Sequence, residues 1–377
     1  PGDRQMDLEQ LIAEDVQAQS RAVDEPIRDL QKLVEANAPE QEILTHPAIN
    51  RAIADMEAIP RTNDKPDFNT DNWFENRQYV FKDNTTGNFD DAMRSLVDGA
   101  RRLGWEDVKL KFPDGAIKQQ RRAVIVLGPP AAGKSTIANP IARKIGAAIV
   151  DADEAKKILP EYQGGIGANA THEESSLMSD LVLKTLMSQG DNIVLPKVGG
   201  QVESIERNIT MLKNAGYEVD LVDMKVGARP AMKRMISRFI ATGKLINPDY
   251  VKATGDNPGK TYDILRKKGV ANGYTRLDNE GDKDAAKLVI EDTRNLLEGV
   301  DLRLRRSGDQ SGGDLGRAAG GKTIAEISER TEAVDLPSIQ ENLLDEQFPV
   351  GFTEDPDGKA IARTVTARQL FNEIAQE

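Results

Sequence analysis

Ala123-Val-Ile-Val-Leu-Gly-Pro-Pro-Ala-Ala-Gly-Lys-Ser-Thr136 passes from an apolar run through a glycine-bounded loop towards a helical pattern. Ala123–Leu127 reads as a short buried strand, and Ile137-Ala-Asn-Pro-Ile-Ala-Arg-Lys-Ile145 has the apolar spacing of a helix. The loop between them fits the pattern G-x-x-x-x-G-K-[ST], in which backbone N–H groups and a helix start cradle phosphate oxygens. Gly128, Pro129, Pro130, Ala131, Ala132, Gly133, Lys134, Ser135 and Thr136 are the expected cradle. Lys134 is expected to reach the outer phosphates and Ser135 to offer its hydroxyl to Mg²⁺. A nucleoside triphosphate, ATP before GTP, is the expected ligand.

Composition narrows the surroundings of this loop. The chain has 377 residues, enough for one large domain with appendages or two modest ones. Lys plus Arg number 50 and Asp plus Glu 62, a net charge of −12, which argues against non-specific nucleic-acid or acidic-membrane binding. No cysteine is present, so disulfides and zinc–thiolate sites are excluded. With two histidines, His46 and His172, the composition also argues against a histidine-rich metal site. No apolar run reaches membrane-spanning length and no signal peptide is visible. The start at Pro1, without methionine, suggests a piece of something longer.

Along the chain, residues 1–60 read as an acidic helical extension, with five basic and thirteen acidic residues. Leu8, Leu11, Ile12 and Val16 form one helical stripe, and Ile27, Leu30, Leu33 and Val34 another. Residues 61–120 are expected to form a linker and a small mixed segment packed on the core, with Ala92–Leu103 as its helix. The core, 121–306, alternates strands at 123–127, 147–151, 192–195, 219–224 and 274–278 with helical patterns at 172–189, 202–215 and 229–242. That alternation predicts an α/β fold, a parallel sheet with helices on both faces. Residues 307–322 are a Gly-rich linker by composition, and 323–377 a tail ending in a helical pattern at 367–376.

Two further features bear on chemistry. Asp151 and Asp153 stand at the carboxyl end of the second strand, where open α/β sheets bind ligands. Read as strand, the two share a face, so either is a candidate base for an acceptor hydroxyl; the alternative is a helix N-cap. Met232–Ile240 is a helix bearing Lys233, Arg234 and Arg238, the two arginines four residues apart on one face. It reads either as a solvated cationic stripe or as a lid that closes on phosphates, with Gly243-Lys244 as its hinge.

From Ala123 to Gly281 these motifs, in this order, resemble the zeta toxin family of P-loop kinases, relatives of chloramphenicol phosphotransferase and polynucleotide kinases. Val150-Asp-Ala-Asp-Glu-Ala-Lys-Lys-Ile-Leu-Pro160 is similar to the family's Ile-Asp-x-Asp strand end with its following helix and turn. Asn214-Ala-Gly-Tyr-Glu-Val219 and Arg276-Leu-Asp-Asn-Glu-Gly281 resemble its later helix end and final strand. The resemblance implies transfer of the γ-phosphate of ATP to a hydroxyl of a small molecule, such as UDP-N-acetylglucosamine, with a toxin-like effect. It casts Lys134 as phosphate lysine, Ser135 as the Mg²⁺ ligand, Asp153 as base, Arg238 as first lid arginine and Lys244 as stand-in for the second. Asp180 matches a substrate-contacting acidic position.

One departure stands out. Where family members that phosphorylate the nucleotide-sugar carry Glu-Gly-Thr, this chain has Pro196-Lys197-Val198. Exchanging a carboxylate for a cation suits an acceptor bearing its own phosphate. Glu173, at the start of the helix carrying Asp180, offers a replacement polar group or simply an acidic first turn.

The resemblance further implies a cytoplasmic protein of bacterial or phage origin, restrained by a helical antitoxin. The acidic helices of 1–60 suggest restraint in cis, with an ordinary connecting arm as the alternative. A rival enzyme reading is a polynucleotide or NAD kinase fed by a basic groove of Arg101, Arg102, Lys118, Arg121 and Arg122. A nucleotide-binding switch without transfer is the non-enzyme rival.

Overall fold

The computed structural model describes residues 25–36, 38–65, 68, 73–106, 112–242, 244–280, 288–300, 347–354 and 360–366. It divides into two units, Pro1–Glu329 and Arg330–Glu377.

The first unit is built on a six-stranded sheet. In chain order its strands follow a two-residue hairpin, β1 (Tyr79–Val80) and β2 (Thr86–Gly87). They are β3 (Arg122–Leu127), β4 (Ala147–Ile149), β5 (Asn192–Lys197), β6 (Glu218–Lys225), β7 (Gly273–Asp278) and β8 (Leu288–Asp292). The spatial order is β4-β5-β3-β6-β7-β8, parallel throughout except for β8, which runs antiparallel at the edge. That antiparallel edge is an addition to the expected parallel sheet.

The alternation within β3 explains why it lies in the middle. Val124 and Val126 belong to one apolar cluster and Ala123, Ile125 and Leu127 to the other, all of them 0% exposed. A strand with no polar face is stable only when both faces are covered. The cover on the first face includes α5 (Lys134–Ile145) and α9 (Ala228–Thr242). On the second face it includes α4 (Phe89–Leu103), α7 (His172–Gln189), α8 (Val202–Asn214) and α11 (Asn257–Lys268). Between β4 and α7 lie the one-turn helix α6 (Ala152–Lys156) and a 3₁₀ segment, Pro160–Ala168. The short α10 (Pro248–Thr254) follows α9.

The acidic extension is no appendage in its described part. A helix over 25–35 (α1), α2 (Glu40–Leu44) and α3 (Pro47–Glu57) bring Leu30, Ile43, Ile49 and Met56 into the same cluster as α5 and α9. Leu30 and Ile49 are 0% exposed, and burial of such side chains contributes roughly 1.5–3 kcal/mol each. The stripe at Leu8–Val16 lies outside the described residues.

Thr62, Lys65, Trp73 and Arg77 then tie this layer to the second face. Arg77 pairs with Glu161, and its Nε lies 2.5 Å from Glu174, which is 0% exposed. Lys65 reaches Glu161 at 2.6 Å, and the Trp73 indole N–H donates to Glu174 at 3.2 Å. Glu174 lies in the first turn of α7 and is also the buried acceptor of this strap. Thr171, the N-cap residue of α7, turns its hydroxyl back to the Gly167 carbonyl at 3.0 Å and makes no side-chain cap bond.

The second unit shows one antiparallel pair, β9 (Gln347–Glu354) with β10 (Ala360–Thr366). The Gly-rich linker at 307–322 and the helical pattern at 367–376 lie outside the described residues. No helix among the described residues is long and apolar enough to cross a membrane.

Candidate active site

The loop after β3 is held in a defined shape. Gly133, with φ 81°, occupies a left-handed conformation that costs a side-chain-bearing residue, and it opens α5. Ala131 also lies at positive φ, 60°. The first N–H groups of α5 have no acceptor inside their own helix and sit at its positive end. Lys134 folds back over the loop, donating to the carbonyls of Gly128 at 2.8 Å and Pro129 at 2.9 Å. Burial pulls its ammonium down to about 8, while Asp151 and Asp153 oppose that shift. Ser135 and Thr136 are placed at the mouth of the loop, in the first turn of α5.

Asp151 and Asp153 divide their labour differently from the strand reading. Strand β4 ends at Ile149, and the chain turns at once into α6, so period-two alternation does not apply to the pair. Asp151 is the N-cap, its carboxylate accepting the Asp153 N–H at 3.0 Å. Burial and the charge of Asp153 push Asp151 above the usual carboxylate range.

Asp153, one residue into the helix, is turned towards cations. Lys156 approaches at 2.9 Å and Lys244 at 3.7 Å. Burial by itself raises the Asp153 carboxyl, but Lys156, Lys244 and Arg238 outweigh it and hold the group at about 2. Its side chain keeps 45% of its exposure, against 13% for Lys156 and 14% for Lys244. The carboxylate is thus reachable by an incoming group, while its cations are seated.

The seat of Lys244 is built from the 3₁₀ segment. Its ammonium lies 5.6 Å from the Tyr162 ring centroid, a cation–π distance. Gly165, at φ 121°, lets the lysine stem pass close, since a Cβ there would stand 3.2 Å from Lys244 Cγ. Gly243, the expected hinge, lies outside the described residues. His172, at the start of α7, is near enough to Asp153 and Lys156 to respond to their charges, as it does to Glu173 beside it.

The two arginines of α9 separate in role. Arg238 contributes its charge to Asp153. Arg234 donates to the backbone carbonyl of Asn279, just past β7, at 2.5 Å, and so braces the sheet edge beside the loop. Lys197 ends β5 in register with Leu127, the residue before Gly128, which places it at the same carboxyl edge. Asp180 is exposed on α7, eight residues from His172, or about 12 Å along the axis at 1.5 Å per residue.

The basic residues expected to line a nucleic-acid groove have other places in the fold. Arg122 begins β3, the strand whose far end feeds the loop, six residues or about 20 Å away in extended chain. Arg101 is engaged by Asp191, and Arg121 by the carbonyls of Met187 and Ala215. The Lys118 carbonyl accepts from Asn192, the first residue of β5. Arg102 lies at the end of α4. Arg101 and Arg121 are thus engaged by the amino-terminal edge of the sheet, away from Lys134.

Sequence reasoning gave no role to Lys156, His172 or Asn279. Lys156 had a local signal, three residues after Asp153 on a helix. Asn279 lay within the Arg276–Gly281 resemblance, but its bonding partners come from other elements and carried no local signal.

A phosphate loop on the central strand, a carboxylate pair at a nearby strand end and cations converging from α6 and the α9–α10 connection define a P-loop phosphotransferase. Residues 111–283 match the family model of the zeta toxins. Among curated proteins none matches the chain. Solved structures similar to it include the PezAT toxin–antitoxin system of Streptococcus pneumoniae, 19% identical over 55% of this chain and 81% of that one, TM-score 0.39. Another is the AvrRxo1-ORF1:ORF2 complex with ATP, 19% identical over 54% of this chain and 66% of that one, TM-score 0.37. The shikimate kinase of Bacteroides thetaiotaomicron is 17% identical over 43% and 89% respectively, TM-score 0.28.

Proposed function

We propose that this chain is an ATP- and Mg²⁺-dependent kinase that phosphorylates a hydroxyl of a small, phosphate-bearing acceptor such as a nucleotide-sugar. The observation that carries the reading is the meeting of Lys134 with the Asp151–Asp153 pair, within electrostatic reach of each other at the carboxyl edge of the sheet. A carboxylate held at the loop's edge with cations around it suits an acceptor hydroxyl as well as a bound nucleotide.

In this reading Lys134 leaves the Gly128 and Pro129 carbonyls for the β- and γ-phosphates, joined by the N–H groups that open α5. Asp153 accepts a hydrogen bond from the acceptor hydroxyl and aligns its oxygen behind the γ-phosphorus. The new O–P bond forms as the bond to the ADP oxygen breaks. A carboxylate held at about 2 is a weak base, so Asp153 orients first and takes the proton late. Arg238 and Lys244 offset charge on the transferred group.

The Ser135 hydroxyl, in the first turn of α5, is an oxygen donor of the kind Mg²⁺ takes, and a cation there would lean on it and on nucleotide phosphates. Bound there, it would neutralise phosphate charge during transfer.

The cations around Asp153, with Lys197 at the end of β5, support an anionic acceptor in a chain that is acidic overall. A restraining helical partner, on another chain or within the acidic extension of residues 1–60, completes the reading; the acidic excess of that extension supports it. The test is incubation of the chain with cell extract and γ-labelled ATP, followed by a search for labelled small molecules. No labelled product despite intact ATP binding would replace the kinase reading with a switch.

A further inference from the structure

Asn279 stands where three parts of the site meet. It follows β7 directly, is 7% exposed, and is bonded through its backbone N–H, its backbone carbonyl and its side-chain NH₂. The backbone N–H donates to the Lys225 carbonyl at the end of β6, 2.9 Å away. Its backbone carbonyl accepts from Arg234 of α9 at 2.5 Å. Its side-chain amide donates to the Ala132 carbonyl, inside the phosphate loop, at 2.7 Å. Because the partner is a carbonyl, only the NH₂ half of the amide can make this last bond.

The orientation of Ala132 matters for the loop's purpose. Its carbonyl belongs to the peptide that carries the Gly133 N–H, so fixing one end of that planar unit fixes the direction of the other. The Gly133 N–H stands at the threshold of α5, among the groups the loop must aim at phosphate. The carbonyls of Gly128 and Pro129 are held by Lys134, which must leave them to engage a nucleotide. The Ala132 carbonyl is held by a residue 147 positions further along the chain, which need not move when Lys134 does.

We infer that Asn279 is a positioning residue for the phosphate loop: it locks the Ala132–Gly133 peptide in its phosphate-binding orientation and links that peptide to Arg234 of the arginine helix. The inference rests on the kinase reading, since it presumes that the loop binds a triphosphate. Aspartate has nearly the same shape as asparagine but, when ionised, accepts only. Asn279→Asp therefore sets two acceptors face to face, and protonation restores the donor.

The experiment measures binding of a fluorescent ATP analogue with Mg²⁺ to the full chain, to Asn279→Ala and to Asn279→Asp, from pH 8 to pH 5. Asn279→Ala is expected to weaken binding about tenfold, the weight of one well-placed hydrogen bond. Asn279→Asp should be at least as weak at pH 8 and regain affinity, relative to the unsubstituted chain at each pH, as its carboxyl protonates. A residue that merely fills space would give no such pH-dependent recovery, and circular dichroism identifies a variant that has lost its fold. Two variants that bind within twofold of the unsubstituted chain, or an Asn279→Asp deficit that ignores pH, overturn the inference and leave the kinase reading standing. An unsubstituted chain that does not bind the analogue sinks both.

Discussion

The ammonium of Lys244 stands 3.7 Å from the carboxylate of Asp153, so a residue from beyond the end of α9 holds the proposed hydroxyl acceptor in its charged form. Lys156, from the same helix as Asp153, does so at 2.9 Å. In the free chain the group that must meet the acceptor is therefore already occupied by two cations. An anionic acceptor suits such a site, because its own charge can draw those cations aside.

One consequence is a pH profile. With its carboxyl at about 2, Asp153 stays ionised through the usual assay range, and kcat should show no acid limb from this group above about pH 4. Lys244→Ala removes a cation that favours the ionised form, so the carboxyl rises and an acid limb moves towards neutrality. Initial rates between pH 4 and pH 8 decide the matter. Identical profiles would show that Lys244 does not set the charge of Asp153.

Lys134→Ala should abolish phosphoryl transfer and weaken ATP binding, since it removes the only side-chain cation of the loop itself. Asp153→Ala should lower transfer by about 10²–10⁴-fold, the usual weight of a positioned acid–base group, with ATP affinity little changed. Parallel binding and turnover measurements separate the two. If Asp153→Ala turns over at the original rate, Asp151 becomes the candidate.

The strap made by Lys65, Trp73 and Arg77 should matter to stability rather than to chemistry. Arg77→Met strips Glu174, which is fully buried, and Glu161 of their shared cation. Breaking a buried pair from one side typically costs about 3–5 kcal/mol. Urea unfolding measures it, and a loss below about 1 kcal/mol would mean that Glu174 finds another partner or a proton.

Acid should act on the same strap. Arg77 and Lys65 overcome burial to hold Glu161 down at about 2 in the folded chain, against about 4.3 when unfolded. A depressed carboxyl contributes stability that is present above the unfolded value and lost as pH falls towards the folded one. The urea midpoint should decline between about pH 5 and pH 2, and Glu161→Gln should flatten that decline. Superimposable curves would assign the acid sensitivity elsewhere.

Restraint in cis, if carried by residues 1–24, predicts that their removal raises ATP turnover. This truncation leaves Leu30, Ile43, Ile49 and Met56 in place, so the core that α5 and α9 share with them is preserved. Unchanged turnover would leave only a separate partner for that role. Removing residues 1–60 would take the core residues as well and confuse inhibition with unfolding.

Much of the fold was legible because its signals are local. The strand at 122–127 declares itself by five consecutive buried apolar residues, and α7 spans the predicted 172–189. Lys134, Ser135 and the carboxylate pair follow from spacing. What escaped depends on partners distant in sequence. Arg77 meets Glu161 and Glu174 across more than eighty residues, and Asn279 meets Ala132 across 147. The strand reading of Asp151 and Asp153 failed because a helix cap can end a strand two residues early, a choice made by hydrogen bonding rather than by hydrophobic period. Helix α11, with Pro258 in its first turn, announced itself too weakly for periodicity to find.

Because α1 and α3 lend side chains to the cluster that backs the phosphate loop, the unit that folds is larger than the unit that matches the family. A protein cut to residues 111–283 would remove Leu30 and Ile49 from the apolar cluster they share with α5 and α9, and would lose the Arg77 strap with it. Soluble expression should require an N-terminal boundary that retains Leu30 and the core residues after it. The frame for mutagenesis, crystallisation and assay is thus one that reaches back past Leu30, about eighty residues before the family match begins.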